Sequence, residues 1–232
     1  RFDSQEADVA ESRFTLVPVT EKAAALNIGG HYSLALIGDF NESNATAAII
    51  GAGLAGVDAS AAVPGIAKVK IPGRMEHTKV AGHGAVYVDY AHNYASMKAL
   101  LSFLKHAYKD PRLLVVVGSP GDKGVSRRPG FAKVLTEFAT EAFLTTDDPG
   151  YEDPANIIEE IDSKIDHSKV KVHKVLDRQR AIAEAISDSR PNDIVVVAGK
   201  GADPYQKVRG VNTPWPTDMA VVKQVAKSLQ EG

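Results

Sequence analysis

The sequence predicts an α/β fold built on a mostly parallel, doubly wound (Rossmann-like) sheet, and three observations carry that expectation. From Ala85 onward strand-like and helix-like runs alternate, the pattern that parallel strands with helical crossovers produce. The strand runs are rich in β-branched and aromatic residues, as in Val86–Tyr90 and Ile194–Ala198. Four of these strands are followed at once by a polar or glycine-rich cluster. In a parallel sheet such clusters line the carboxyl edge, where open α/β folds bind ligands.

Composition sets the outer bounds. The 232 residues suit one large domain, or one domain plus part of another. Twenty-seven basic against 29 acidic residues give a net charge of −2, with no basic stripe to suggest a nucleic acid. The absence of cysteine excludes disulfides, thiolate metal sites and a cysteine nucleophile. No apolar run approaches the ~18 residues of a membrane span. The chain shows no signal peptide and begins at Arg1, so a fragment of a cytoplasmic protein is expected.

In chain order, Phe14–Val19 and Tyr32–Ile37 read as strands, with a tight turn expected across Asn27-Ile28-Gly29-Gly30. Gly38-Asp39-Phe40-Asn41 breaks the pattern. A helix is then expected over Asn44–Leu54, capped by Ser43 or Asn44. This opening region reads as the tail of a domain. Ile71-Pro72-Gly73 marks a turn or hinge, so a boundary is expected between residues 71 and 72. Beyond it, Val86–Tyr90, Leu113–Val117, Ala142–Thr146, Val170–Val175 and Ile194–Ala198 are the strands. Helical apolar spacing follows Asn93, then recurs at Phe131–Phe138, Ile157–Ile165 and Ile182–Ile186. Asp153-Pro154 supplies an N-cap and a proline at the first helical position, and Thr217 caps a last helix.

The clusters are Asp89-Tyr90-Ala91-His92, Gly118 to Gly124, Thr145 to Pro149, and Gly199-Lys200-Gly201-Ala202-Asp203. Each alone reads as a solvated turn; four at one edge favour a site. Lys123, Arg127 and Arg128 suit a carboxylate or phosphate, while Asp147, Asp148 and Asp203 suit an ammonium. Both signs together fit a zwitterion such as an amino acid. The alternative is a solvated helix start at Arg127-Arg128 and a turn cap at Asp147.

Two glycine motifs lead elsewhere. Gly51-Ala52-Gly53-Leu54-Ala55-Gly56 spells the flavin or NAD fingerprint, but a helix-like run precedes it where a strand is required, and Pro64 interrupts the helix that should come after it. Close packing of a helix explains it better. Gly199-Lys200-Gly201 lacks the spacing and the Ser/Thr of a P-loop. The histidines show no paired ligand spacing, so no metal site is expected in this chain.

Taken as an ordered set, the motifs resemble those of the Mur ligases. They are Gly38-Asp39-Phe40-Asn41 with Asn44-Ala45, Pro72-Gly73-Arg74-Met75-Glu76, Val88-Asp89-Tyr90-Ala91-His92, Gly121-Asp122-Lys123-Gly124 with Arg127-Arg128-Pro129, Asp147-Asp148-Pro149, and Gly199-Lys200-Gly201 with Tyr205-Gln206. The resemblance runs from about Tyr32 to Leu229, and is strongest to the branch that adds a diamino acid to UDP-MurNAc-L-Ala-D-Glu. It implies an ATP-dependent amide ligase of peptidoglycan synthesis in the bacterial cytoplasm, acting on that UDP-linked dipeptide and a free amino acid, with no nucleic-acid or membrane partner and a monomer favoured. Residues 1–71 would be the C-terminal part of the α/β ATP-binding domain and 72–232 the amino-acid-binding domain. The P-loop and the ligands of Mg²⁺ would lie before Arg1, leaving no catalytic residue here and this chain inactive alone.

The resemblance also assigns residues. Asn41, Asn44, Arg74, Asp89 and His92 fall at ATP-binding positions, Asp89 toward the ribose hydroxyls. Lys123, or Arg127, falls where the family holds the amino acid's carboxylate. Asp147 and Asp148 open the specificity motif, and Gly199 and Asp203 also face the amino acid. Diaminopimelate-adding members carry an arginine where this chain has Gly150, so L-lysine is the expected substrate. The other readings are a D-glutamate- or folate-extending ligase, a non-catalytic amino-acid-binding module, and, least, a flavin or NAD domain.

Overall fold

Phe14, Leu16, Tyr32 and Leu34 alternate with less buried neighbours, the period-2 pattern of strands with one covered face. The computed structural model describes residues 2–4 and 11–231, and the chain divides into two compact units, Arg1–Ile71 and Pro72–Gly232. In the first, β1 (Phe2–Ser4), β2 (Ser12–Leu16) and β3 (Gly30–Leu34) form an antiparallel sheet in that order. Phe14 stacks on Tyr32 with ring centroids 5.5 Å apart. Ile49 and Ala62 join them in the core from two helices, α2 (Asp39–Leu54) and α3 (Ala59–Ile66).

Several expectations for this unit need correction. The β2–β3 connection is no tight turn, because α1 (Glu21–Ala24) forms within it, capped by Thr20 Oγ1 accepting from Ala23 N–H. Helix α2 starts at Asp39 rather than Asn44. Gly38, at φ 103°, makes the turn that an L-residue at Ser43 or Asn44 was expected to make. Pro64 lies inside α3, where it removes one backbone bond without stopping a helix that Asp58 caps firmly. The Gly51–Gly56 motif falls on the end of α2, so the strand-turn-helix of a dinucleotide fingerprint is absent there. A Cβ at Gly53 would sit 2.8 Å from Ile28 Cγ2, so close helix packing accounts for that glycine.

The second unit holds a six-stranded sheet in the order β4-β5-β9-β6-β7-β8. Its strands are β4 (Glu76–Lys79), β5 (Ala85–Asp89), β6 (Leu113–Val117), β7 (Glu141–Leu144), β8 (Lys171–Lys174) and β9 (Ile194–Ala198). Only β4, an edge strand the sequence did not reveal, is antiparallel. Helices α4 (Tyr94–Ala107), α5 (Arg128–Phe138) and α6 (Pro154–Asp162) pack in succession, while α7 (Arg178–Asp188) packs on α8 (Asp218–Glu231). Val86, Val88, Leu114, Val116, Val195 and Val197 form one core with Ile182, Ile186, Val221 and Val222 of α7 and α8. The intervening Tyr87, Val115 and Val196 are also fully buried and, by the pleat, face the other way. Tyr87 Oη meets Tyr108 Oη at the end of α4, 2.6 Å away. Each such buried side chain stabilises by roughly 1.5–3 kcal/mol over its exposed state. The sheet is therefore doubly wound.

Asn93 caps α4, in a capping box with Ser96. Asp153 with Pro154, and Thr217 Oγ1 accepting from Ala220 N–H, act as the sequence suggests. A separate hairpin, β10 (Tyr205–Val208) and β11 (Val211–Pro214), comes after β9 and left no sign in the sequence.

Candidate active site

Because β5, β9, β6 and β7 run parallel, the loops that follow them leave the sheet at one edge. Close backbone approaches knit these loops together. A Cβ at Gly118 would collide with Thr145 O, and one at Gly121 with Pro149 O. Gly121 N–H donates to Asp148 O at 2.8 Å.

Asp89 ends β5 and is 5% exposed. Its Oδ2 accepts from Met75 N–H at 2.9 Å and its Oδ1 from Ala91 N–H at 2.8 Å. Burial pushes its carboxyl above the usual range, although those two bonds, Arg74 and His92 pull the other way. Arg74 is exposed and lies over the Tyr90 ring, 4.4 Å from its centroid. His92 Nδ1–H donates to the Tyr90 carbonyl at 2.8 Å, so a neutral ring keeps Nε2 as an acceptor. In the other unit, Asn41 is buried and donates from Nδ2 to Ile37 O at 2.9 Å, while Asn44 is exposed on α2.

Past β7, Asp147 is buried and Asp148 half-buried. Burial raises the Asp147 carboxyl against the pull of Arg178 and Lys200. Asp203 is raised too, by burial first and then by Asp148 and Asp218, with Lys200 and Arg74 opposing. Lys200, fully buried, brings Nζ within 2.7 Å of Asp148 Oδ1 and 3.6 Å of Asp147 Oδ1. Gly199, at φ 108°, lies so close that a Cβ there would be 2.9 Å from Asp147 Oδ2. Beneath them Arg178 grips Asp218 with Nε and Nη2 at 2.8 and 2.7 Å and donates to Ala198 O at 3.0 Å.

The cations divide. Lys123 is exposed and, among the described residues, has no side-chain partner; Arg127 is half-exposed where a one-turn 3₁₀ segment (Val125–Arg127) meets α5. Arg128, offered from sequence as a third anion-binding cation, is instead buried against Glu152, at 2.7 Å, and Glu160. Its charge is spent on α6 and the loop before it. Sequence reading assigned no role to Lys200, Arg178 or Asp218. The signal for Lys200 was a lysine held between two glycines at a strand end. For the other two, forty positions apart, there was none.

At the far edge of the sheet, Glu141, His173 and Asp188 bring potential ligand atoms within 4.8 Å of one another. Burial disfavours the charge on Glu141, but bonds from His173, Arg112 and Lys171 outweigh it and hold its carboxyl below the usual range. Cations thus already fill that cluster.

A doubly wound sheet with aspartates and cations gathered along one carboxyl edge defines a ligand-binding α/β domain. Residues 73–201 match the family described as Mur ligase, glutamate ligase domain, and the chain belongs to the Mur ligase family. Within it, the chain is 99% identical over all 232 residues to the UDP-N-acetylmuramyl-tripeptide synthetase of Lacticaseibacillus paracasei, of which it spans 45%. It is 48% identical, over 88% of its length and 40% of the relative's, to the UDP-N-acetylmuramoyl-L-alanyl-D-glutamate--L-lysine ligase of Enterococcus faecalis. Among solved structures it resembles a UDP-N-acetylmuramoyl-L-alanyl-D-glutamate--2,6-diaminopimelate ligase, with a TM-score of 0.66, 31% identity, and coverage of 99% of this chain and 46% of that one. The chain thus spans less than half the length of these relatives.

Proposed function

We propose that the full-length protein containing this chain is an ATP-dependent ligase of the bacterial cytoplasm. It joins L-lysine, in preference to meso-diaminopimelate, to the terminal carboxylate of UDP-MurNAc-L-Ala-D-Glu. The carboxylate takes a phosphoryl group from ATP and ADP leaves. The amine nitrogen then bonds to the acyl carbon, the carbon–oxygen bond to phosphate breaks, and the amine sheds its proton. Residues 1–71 close the ATP-binding domain and 72–232 present the amino acid. Held amines gain in effective concentration what the free reaction lacks.

The observation that carries this reading is the edge where buried Asp147 and half-buried Asp203 lie among loops that also bear Lys123. Asp147 and Asp203 receive the amines with Asp148 held beside them, Gly199 gives close access, and Lys123 or Arg127 takes the α-carboxylate. Asn41, Asn44, Arg74, Asp89 and His92 serve the nucleotide. The exposed Arg74 guanidinium suits phosphate oxygens, and His92, its Nδ1–H held by the Tyr90 carbonyl, can accept at Nε2 from a ribose hydroxyl. Mg²⁺ would balance the phosphate charge and is assigned no ligand in this chain.

Lysine is favoured by position 150. Gly150 has φ 62°, donates to Lys207 O at 3.1 Å, and a Cβ there would collide with the Asp122 carboxylate. A cation for a second substrate carboxylate has no place at that residue. Phosphate release by the full-length protein, with ATP, Mg²⁺ and UDP-MurNAc-L-Ala-D-Glu, is expected to depend on L-lysine. No amino-acid dependence would overturn the ligase reading; faster turnover with diaminopimelate would reverse the choice of substrate.

A further inference from the structure

We infer that Lys200 is a positioning residue for the incoming amino acid: a resident ammonium that pins Asp148 and leaves Asp147 and Asp203 to the ligand's amines. The inference rests on the ligase reading above and adds a residue to its site.

Gly199 and Gly201, at φ 108° and 56°, turn the chain on both sides of Lys200 and direct its side chain inward. There it is completely buried. Burying an ammonium costs several kcal/mol unless anions meet it. Asp148 Oδ1 does so at 2.7 Å, with Asp147 Oδ1 at 3.6 Å and the Tyr205 ring centroid at 5.7 Å. The same Asp148 oxygen accepts from Lys207 N–H at 3.0 Å, and the Asp148 carbonyl accepts from Gly121 N–H at 2.8 Å. One residue thereby joins the loop carrying Lys123, the loop carrying Asp147, and β10. Lys200 supplies the charge that keeps Asp148 there.

The balance of charge points the same way. Arg178 is committed to Asp218 by two bonds. Lys200 sits closer to Asp148, at 2.7 Å, than to Asp147, at 3.6 Å, so Asp147 and Asp203 are the anions it offsets less. Without Lys200, the buried Asp147 and half-buried Asp148 carboxylates lose their shared cation, and their repulsion is relieved if one turns away or takes up a proton. A ligand ammonium then meets a displaced partner.

The test uses steady-state kinetics of the full-length enzyme. In Lys200→Met the KM for L-lysine is expected to rise by about tenfold or more, while the KM values for ATP and the UDP-linked dipeptide stay within about twofold. A purely structural role would lower the amount of active enzyme, and so kcat, without moving the KM for lysine alone. Adding Asp148→Asn to Lys200→Met removes the uncompensated charge and is expected to restore most of the lost affinity. If the single Lys200 variant does not fold, the comparison becomes Asp148→Asn against the double variant. The double variant must then show the lower KM for lysine. An unchanged KM in Lys200→Met, or a double variant no better than its single parent, overturns the inference. A wild-type enzyme without lysine-dependent turnover strikes the ligase reading instead, so the two failures are distinct.

Discussion

Arg178 and Asp218, forty residues apart, meet in a two-pronged ion pair with both side chains fully buried. Trp215 Nε1–H adds a third donor to Asp218 at 3.2 Å, and Arg178 Nη1 is left without a partner. The pair ties the start of α7 to the start of α8 under the end of β9. Removing one member strands a charge in the interior. Arg178→Met is therefore expected to cost about 3–5 kcal/mol in denaturant unfolding. Arg178→Met with Asp218→Leu is expected to recover much of that, because no charge is then buried alone. Equal losses in the single and double variants would show that packing, not charge, decides the site.

Installing the missing cation is expected to fail. Gly150→Arg places a side chain at φ 62° and against the Asp122 carboxylate, with a backbone cost of about 1–2 kcal/mol before any clash. The variant is expected to melt at a lower temperature and to gain no turnover with meso-diaminopimelate. Turnover with diaminopimelate at or above the lysine rate would refute the account of position 150.

Two of the three glycines of the apparent fingerprint, Gly51 and Gly53, separate by packing. Gly51 has open space around its Cβ direction, so Gly51→Ala is expected to stabilise by about 0.5–1 kcal/mol through helix propensity. Gly53→Ala meets Ile28 Cγ2 at 2.8 Å and is expected to destabilise by about 1–3 kcal/mol. Calorimetric melting of both variants measures the contrast. Were both glycines there for a flavin or NAD pyrophosphate, both variants would lose cofactor and neither would follow its packing.

Asp147 links acidity to both binding and stability. Its carboxyl is raised by burial, so it takes up a proton at a higher pH than an ordinary aspartate, whose value is about 4. Only the anion attracts an ammonium. The KM for lysine is expected to climb on acidification while the pH is still above that ordinary range. For stability the sign is opposite. A carboxyl raised on folding favours the fold below its unfolded value, and that contribution is lost as the pH rises through the folded value. Asp147→Asn is thus expected to raise the melting temperature at neutral pH, with the gain fading in acid, while lysine-dependent turnover disappears. A variant less stable than wild type at neutral pH would contradict this.

How much of the fold and site was legible in the sequence depends on the range of the interactions. Leu113–Val117 and Ile194–Ala198 were readable to the residue, because continuous β-branched runs bounded by turn residues carry their own signal. Asp153-Pro154 was equally plain. The start of α2 was missed because Gly38 turns the chain without any side-chain cap, and caps are what a sequence shows. Edge strand β4 and the β10–β11 hairpin are short and exposed, so neither carries an apolar run. Within the site, the sequence marked the loops but not the partners inside them. Arg128 looked like its neighbour Arg127, and only the placement of Glu152 and Glu160 distinguishes the two.

The sheet order has a consequence for how the molecule comes into being. Strand β9, made after β5, β6, β7 and β8, is the one that fits between β5 and β6. A growing chain that has left the ribosome only as far as Arg190 holds two open strand edges where that strand belongs, surfaces on which unrelated chains can pair. Truncation before Ile194 therefore splits the sheet in its interior, taking with it the seam from which the glycines and Lys200 emerge and leaving Arg178 without Asp218.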